Sequence, residues 1–217
     1  MKAILFDLDG TLIDSSEGIT KSVQYSLDFF GIHETDLDKL RVFIGPPLKF
    51  SYPKHYGFEG DSLREVIAKY RERYTQIGLF ECTLYPGVRE CITRLKENGF
   101  KICLASSKPE VMCKTLLEHF EILDLFDEVA GASLDGKIDT KKQVLDELFR
   151  RLPDIATSEM VLVGDTIYDV EGARAAGIPT IAVDYGFGEV QDLKDAGAIT
   201  ILSSLGDVAS YILSTYK

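Results

Sequence analysis

Two aspartates stand two residues apart near the start of the chain, in the stretch ILFDLDGTLIDS at residues 4 to 15. The apolar run before them is typical of a buried strand, and on an extended backbone Asp7 and Asp9 point to the same face. Two carboxylates held that close repel each other unless a cation or a shared proton lies between them. Because the arrangement disfavours folding, the sequence indicates a chemical role for the pair.

Other polar residues follow later apolar segments. Ser106 follows the run ICLA, Asp165 follows MVLVG with Asp169 four residues on, and Lys141 comes after the turn that follows EVAGAS. Acids are also common at helix N-termini for electrostatic reasons alone. However, ligands of open α/β sheets bind beyond the carboxyl ends of the strands, where these residues converge. Several carboxylates in one crevice need a hard cation, and oxygen ligands with water suit Mg²⁺, which typically also contacts a substrate phosphate.

Some of these residues have structural interpretations as well. Ser107 and Glu110 match a helix-capping box, which leaves the preceding serine available for a ligand oxygen. Thr140 and Gln143 match a second box, so Lys141 falls in a first helical turn, where a cation opposes the helix dipole. Contact with a phosphate would explain this lysine, and a solvated surface position explains it equally well.

The elements that must position these residues alternate between strand and helix patterns from residue 84 onward. Near-continuous apolar strands separated by helices predict a parallel sheet covered on both faces, and KAILFD at the N-terminus adds one more central strand. The expected fold class is therefore α/β, a doubly wound, Rossmann-like parallel-sheet core.

Residues 15 to 82 break this alternation and contain no convincing strand. Helices are predicted at 16–30, 36–43 and 62–77, with a Gly/Pro-rich turn, GPPLKFSYP, at 45–53. We expect two domains, a core of residues 1–14 and 83–217 and a helical insertion of residues 15–82. Because two chain connections join it to the core, the insertion could move as a lid.

The composition of the chain limits which binding partners and which cellular compartment are expected. The chain has 217 residues and a formal charge of −11, which argues against a nucleic-acid polymer or an anionic membrane as the main partner. No apolar stretch approaches the roughly 20 residues that cross a bilayer, and the N-terminus is a poor secretory signal. The four cysteines lack C-x-x-C spacing, which indicates reduced thiols. We expect a cytoplasmic protein, as a monomer or homodimer.

Four features of the sequence resemble, in chain order, the four motifs of the haloacid dehalogenase (HAD) superfamily. They are DLDGTLIDS, Ser106, Lys141 and GDTIYD. The helical insertion after the first motif resembles the C1-type cap, and the resemblance spans essentially the whole chain. The segments FIGPPL, YPGV, SSKPE and SLDGK look typical of the phosphoglycolate phosphatase-like and 5′-nucleotidase-like subgroup. That subgroup has LDG followed by a lysine rather than a G-K-P-x-P form, and the resemblance therefore favours Lys141 over Lys137 as the third motif.

The resemblance implies a Mg²⁺-dependent phosphohydrolase that forms an aspartyl-phosphate intermediate. Asp7 would be the nucleophile, and Asp9 would protonate the leaving group and then activate water. Mg²⁺ would be held by the Asp7 carboxylate, the backbone carbonyl of Asp9 and Asp165. Asp169 would act mainly through water or Lys141.

The same resemblance assigns the phosphoryl oxygens to Ser106 and Lys141, with Thr11 in the tight turn around the phosphate. The substrate would be a small phosphorylated metabolite, of the phosphoglycolate or nucleoside 5′-monophosphate type. Lys49 and His55 are the candidates in the cap, although each also fits a solvated surface position. The alternatives are a phosphomutase of the same superfamily and, in another class, a phospho-accepting receiver or a binding domain without catalysis.

Overall fold

The computed structural model describes residues 1–216, and the chain divides into two compact units. Unit 1 comprises Met1–Ile13 and the chain from Leu84 onward, and unit 2 comprises Asp14–Thr83. The boundary falls within a two-stranded sheet formed by β2 (Ile13–Asp14) and β3 (Thr83–Leu84). No helix in the described part of the chain is both long enough and apolar enough to span a membrane.

Unit 1 contains a six-stranded parallel sheet. Its strands are β1 (Ala3–Phe6), β4 (Lys101–Pro109), β5 (Glu128–Ala132), β6 (Met160–Gly164), β7 (Thr180–Val183) and β8 (Thr200–Leu202). The strand order is β5-β4-β1-β6-β7-β8, and Ile4 pairs with Ile102 on one side and Val161 on the other. All four residues of β1 are buried, as expected for a central strand that is covered on both faces. The sheet confirms the predicted α/β class.

Helices cover the sheet. They are α4 (Val88–Glu97), α5 (Glu110–His119), α6 (Lys141–Arg151), α7 (Ile167–Ala176), α8 (Val190–Ala196) and α9 (Leu205–Thr215). Ala3 and Leu5 of β1 share a buried apolar cluster with Val144 and Leu148 of α6, which fixes this helix against the sheet. The helices α4 and α9 pack on each other and against β4 and β8.

The two predicted capping boxes have different outcomes. The box of Thr140 and Gln143 is confirmed at the start of α6. The box of Ser107 and Glu110 is wrong, because β4 continues to Pro109 and α5 begins without a side-chain cap. Glu110 instead pairs with Arg151 of α6 at 2.8 Å. Strand pairing therefore outweighs the local capping signal at this position.

Unit 2 is helical, with α1 (Ser16–Phe29), α2 (Leu48–Tyr56) and α3 (Gly60–Gln76) and with 3₁₀ turns at Leu37–Phe43 and Gly78–Phe80. The predicted turn at 45–53 is wrong over most of its length, because α2 begins at Leu48 and includes Pro53. Pro47 is the N-cap residue of the helix, where its missing N–H removes no hydrogen bond within the helix. The fully buried Tyr52 then anchors α2, since its ring packs on Phe43 and its hydroxyl bonds Ser26 at 2.6 Å.

Candidate active site

The polar residues of the first, second and fourth motifs lie where three neighbouring strands end. Asp7 follows β1, Asp165 follows β6, and Ser106 lies near the end of β4. Because β1 pairs with β4 on one side and with β6 on the other, the sheet order brings these ends together. The strands therefore position a polar cluster at the carboxyl edge of the sheet, where open α/β folds bind ligands.

Three buried carboxylates form the centre of this cluster. Oxygens of Asp7, Asp165 and Asp169 all lie within 4.8 Å of one another. The buried Lys141 lies between two of them, with its Nζ 2.6 Å from Asp7 Oδ1 and 2.7 Å from Asp169 Oδ1. The same Nζ also donates a hydrogen bond to the carbonyl oxygen of Ala105, at 2.8 Å. Lys141 thus joins the first and fourth motifs to the end of β4.

A second ion pair lies beside this cluster. Lys108 Nζ donates to both carboxylate oxygens of Asp9, at 2.9 and 2.7 Å, and both side chains are largely buried. None of the four sequence motifs includes Lys108. Its position two residues after Ser106, at the same strand end, is the signal that could have placed it here. Ser106 itself is buried, and its hydroxyl accepts a hydrogen bond from the backbone N–H of Lys108 at 3.3 Å.

Asp165 is held differently from the other acids. Its Oδ1 accepts a hydrogen bond from the Thr11 hydroxyl at 3.1 Å, and its Oδ2 accepts one from the backbone N–H of Phe187 at 2.8 Å. Burial raises the pKa of Asp165 well above its usual range, and the charges of Asp169 and Asp7 raise it further. Thr11, which we predict near the phosphate, therefore orients a carboxylate with its side chain in this structure.

The pKa values of the other buried groups follow from the same balance of burial and charge. Burial raises the pKa of Asp7 to about 6, although the ammonium group of Lys141 opposes the rise. Burial alone would lower the pKa of Lys141, but Asp169 and Asp7 raise it above its usual value. Asp169 also caps α7, because its Oδ2 accepts hydrogen bonds from the N–H and hydroxyl of Thr166.

The charges of this cluster fit a divalent cation. Together with the neighbouring Asp9–Lys108 pair, it comprises four carboxylates, on Asp7, Asp9, Asp165 and Asp169, and two ammonium groups, on Lys108 and Lys141. With all six groups ionised, the net charge is 2 − 4 = −2. Buried negative charge without compensation is strongly unfavourable, and carboxylate oxygens are the ligands that Mg²⁺ prefers. The residues present therefore suit this ion.

The two predicted cap residues lie on α2 of unit 2. Lys49 Nζ is 4.9 Å from the ring centroid of Phe50, and the ring of His55 lies 5.8 Å from that of Phe43. Burial lowers the pKa of His55, with a smaller contribution from the charge of Lys54. These contacts place both candidates beside aromatic rings.

Residues 4–183 match the family model described as haloacid dehalogenase-like hydrolase. The match therefore begins in the strand that precedes Asp7 and ends in β7. It covers far more than half of the chain and includes the segments that carry all four motifs.

Several curated proteins are similar over most of the chain. A 5′-nucleotidase of Pseudomonas aeruginosa is 40% identical over 194 residues, covering 88% of this chain and 86% of that protein. Tyrosine-protein kinase PtkA of Mycobacterium tuberculosis is 34% identical, covering 92% and 67%. A phosphoglycolate phosphatase of Nitrosospira multiformis is 32% identical, covering 98% and 96%. The names of these three relatives describe different activities.

Among solved structures, a predicted phosphatase from Clostridium acetobutylicum is similar over almost the whole chain. The two share 43% sequence identity with a TM-score of 0.94, and the match covers 98% of each chain.

Proposed function

This chain is a phosphatase of the haloacid dehalogenase-like hydrolase family, and we propose that it uses Mg²⁺ to cleave small phosphate monoesters through an aspartyl-phosphate on Asp7. The family and the enzyme class are those predicted from the four motifs. The observation that carries the proposal is the buried cluster of Asp7, Asp165 and Asp169 around Lys141. The carboxylate of Asp7 directly follows β1, a central strand of the sheet.

In the proposed reaction, a carboxylate oxygen of Asp7 attacks phosphorus and the bond to the leaving alkoxide breaks. Asp9 gives a proton to that alkoxide. It then takes a proton from the water that attacks the aspartyl-phosphate, which releases inorganic phosphate and restores Asp7. The ion pair with Lys108 holds the Asp9 carboxylate in place, since one ammonium group binds both of its oxygens.

Asp7 and Asp165 would hold Mg²⁺ with their carboxylates and Asp9 with its backbone carbonyl, while Asp169 would act through Lys141. Bound Mg²⁺ would supply positive charge against the carboxylates and the phosphoryl oxygens. Lys141 would also stabilise charge on the phosphoryl group, because its buried Nζ is already fixed beside the attacking carboxylate.

Ser106 and the backbone of Thr11 would complete the contacts to the phosphoryl oxygens. We assign unit 2 the role of the cap domain, with Lys49 and His55 as candidates for substrate recognition. Rings near both residues support a nucleotide base as a ligand, and the names of the relatives support phosphoglycolate equally well. The proposed setting is the cytoplasm, where buried thiols such as Cys91, Cys103 and Cys113 remain reduced.

The nucleophile assignment is tested by Asp7→Asn. This variant is expected to lose turnover of phosphate monoesters, and Asp9→Asn to lose nearly all turnover while it still binds Mg²⁺. Asp154→Asn is the matched control, since Asp154 is an exposed aspartate of unit 1. Appreciable phosphate release by the Asp7→Asn protein, measured with a colorimetric phosphate assay, would refute the assignment.

The substrate class is tested by comparing kcat/KM across a panel of phosphate monoesters that includes phosphoglycolate and nucleoside 5′-monophosphates. The same panel separates hydrolysis from the phosphomutase alternative. A phosphatase releases inorganic phosphate from its preferred substrate. Interconversion of sugar phosphates without phosphate release would replace the phosphatase with a mutase.

A further inference from the structure

The four residues 185–188, YGFG, lie between β7 and α8, and we call them the 185–188 loop. None of the four motifs includes them. The sheet order places β7 next to β6, the strand that ends before Asp165. The loop therefore begins at the same carboxyl edge of the sheet as the buried acids.

The first contact of the loop is with the carboxylate of Asp165. The backbone N–H of Phe187 donates to Asp165 Oδ2 at 2.8 Å, while the hydroxyl of Thr11 donates to Oδ1 at 3.1 Å. One donor from the loop and one from the turn after β1 thus hold the two oxygens. Two hydrogen bonds, one to each oxygen, restrict the rotation of the carboxylate.

The second contact links the loop to the turn after β1. The phenol of Tyr185 donates a hydrogen bond to the backbone carbonyl of Thr11 at 2.9 Å, and its ring centroid lies 4.7 Å from that of Tyr85. Burial raises the pKa of Tyr185 above its usual value, so the phenol stays protonated as a donor. The loop therefore binds both Asp165 and the residue that orients it.

The third observation concerns Gly186, which packs directly against Asp165. A Cβ atom at Gly186 would lie 2.4 Å from both Cβ and Oδ2 of Asp165, which is closer than real Cβ atoms approach other atoms. Any larger side chain must displace either the loop or the carboxylate. The glycine is needed here for the close approach.

We infer that the 185–188 loop is a positioning element that fixes the orientation of the Asp165 carboxylate through Tyr185, Gly186 and the N–H of Phe187. The inference rests on the proposed function, because it assigns Asp165 a cation to bind. It adds residues outside the four motifs to the machinery of that site.

The chemical nature of the hydrogen-bond donors to Asp165 explains why the 185–188 loop is useful. Asp7 and Asp169 are paired with the ammonium group of Lys141, which offsets their charge. In the described part of the chain, Asp165 instead has neutral donors, a hydroxyl and an amide. Neutral donors fix a carboxylate without cancelling its charge, so its full attraction for a cation remains. Outer hydrogen bonds of this kind orient metal ligands in other proteins.

Two variants test the inference. Tyr185→Phe removes the hydrogen bond to Thr11 and keeps the ring, and Gly186→Ala crowds Asp165. The matched controls are Tyr211→Phe and Gly206→Ala in α9, since a Cβ at Gly206 meets nothing closer than 3.6 Å. Mn²⁺ is the probe, and its affinity is measured from the electron paramagnetic resonance signal of the free ion.

Both loop variants are expected to bind Mn²⁺ about 10- to 100-fold more weakly than the wild type, as with other outer-shell substitutions, and both controls are expected to bind as the wild type does. Saturating Mg²⁺ should restore kcat of Tyr185→Phe without changing KM for the phosphate ester, which a general loss of structure would not produce. If Gly186→Ala does not fold, Tyr185→Phe decides the question.

The alternative outcomes separate this inference from the proposed function. Wild-type Mn²⁺ affinity in the folded loop variants would overturn the positioning role and leave the proposed function intact. A wild-type protein that binds no Mn²⁺ would overturn the cation site, and the inference with it.

Discussion

Replacement of Lys141 by methionine removes the ammonium group that Asp7 and Asp169 share, while most of the apolar stem of the side chain is kept. The wild-type Nζ lies 2.6 and 2.7 Å from the two carboxylates, and all three side chains are nearly inaccessible to solvent. Breaking a buried ion pair by removing one partner leaves an uncompensated buried charge and destabilises by about 3–5 kcal/mol. Because the net charge of the cluster changes from −2 to −3, we expect a loss in this range for the metal-free protein.

The neighbouring lysine provides an internal control. Lys142 pairs with Asp146 at 2.6 Å, but about half of each side chain is exposed, at 47% and 50%. Exposed pairs of this kind contribute about 0.3–0.5 kcal/mol, so Lys142→Met is expected to have almost no effect. The two substitutions change the same residue type at adjacent positions of one helix, and they differ mainly in burial.

The assay is thermal unfolding of both variants in the presence of EDTA, followed by circular dichroism. For a chain of this length, about 1 kcal/mol corresponds to about 2–4 °C in Tm, so Lys141→Met is expected to unfold about 6–20 °C below the wild type. Lys142→Met should unfold within about 2 °C of it. Equal Tm values for the two variants would refute the claim that the cluster depends on Lys141 for charge compensation.

Two further predictions concern pH and thiol reactivity. In the metal-free protein, burial raises the pKa of Asp7 to about 6, above the value of about 3.9 for an unfolded aspartate. Between these two pH values, the folded state holds a proton that the unfolded state has released. The contribution of Asp7 to the free energy of unfolding is therefore complete below about pH 3.9 and is lost as the pH rises through about 6. Since Mg²⁺ binds the ionised form, it should raise Tm more at about pH 7.5 than at about pH 5, and equal rises would contradict this. Burial also raises the pKa of Cys91 and Cys103 to about 12 and that of Cys113 above its usual range, so iodoacetamide should modify only the partly exposed Cys82 of the native protein. Peptide mass spectrometry would detect modification of Cys113, which would contradict this burial.

The strands were predictable because their signal is local. The strands β1, β4 and β6 each contain an apolar run of at least four residues, and runs such as AILF and MVLVG do not fit an amphipathic helix. The order of the strands was not predicted, because no local pattern states which strands pair. The helix α2 was missed for a related reason. Its stability comes from Tyr52, whose contacts with Phe43 and Ser26 involve residues outside the helix.

The candidate site shows the same division between local and non-local information. The positions of Asp7 and Asp165 follow from the rule that ligands bind at the carboxyl ends of strands. The pairing of Lys108 with Asp9 and of Lys141 with Asp7 depends on side-chain geometry that spacing cannot supply. The YGFG segment also follows a strand end, so the same rule, applied to β7, would have drawn attention to it.

The position of Lys141 also depends on a residue that no chemical motif identifies. A Cβ atom at Gly172 of α7 would lie 2.6 Å from Cβ of Lys141, so a larger residue there would displace the start of α6. The contact between α6 and α7 thus brings the ammonium group to the two carboxylates. From composition alone, the only expected effect of this glycine would be a lower stability of the helix that contains it. The chemistry of the site is therefore encoded in the motif residues, and its geometry is encoded in small residues that allow the elements to approach.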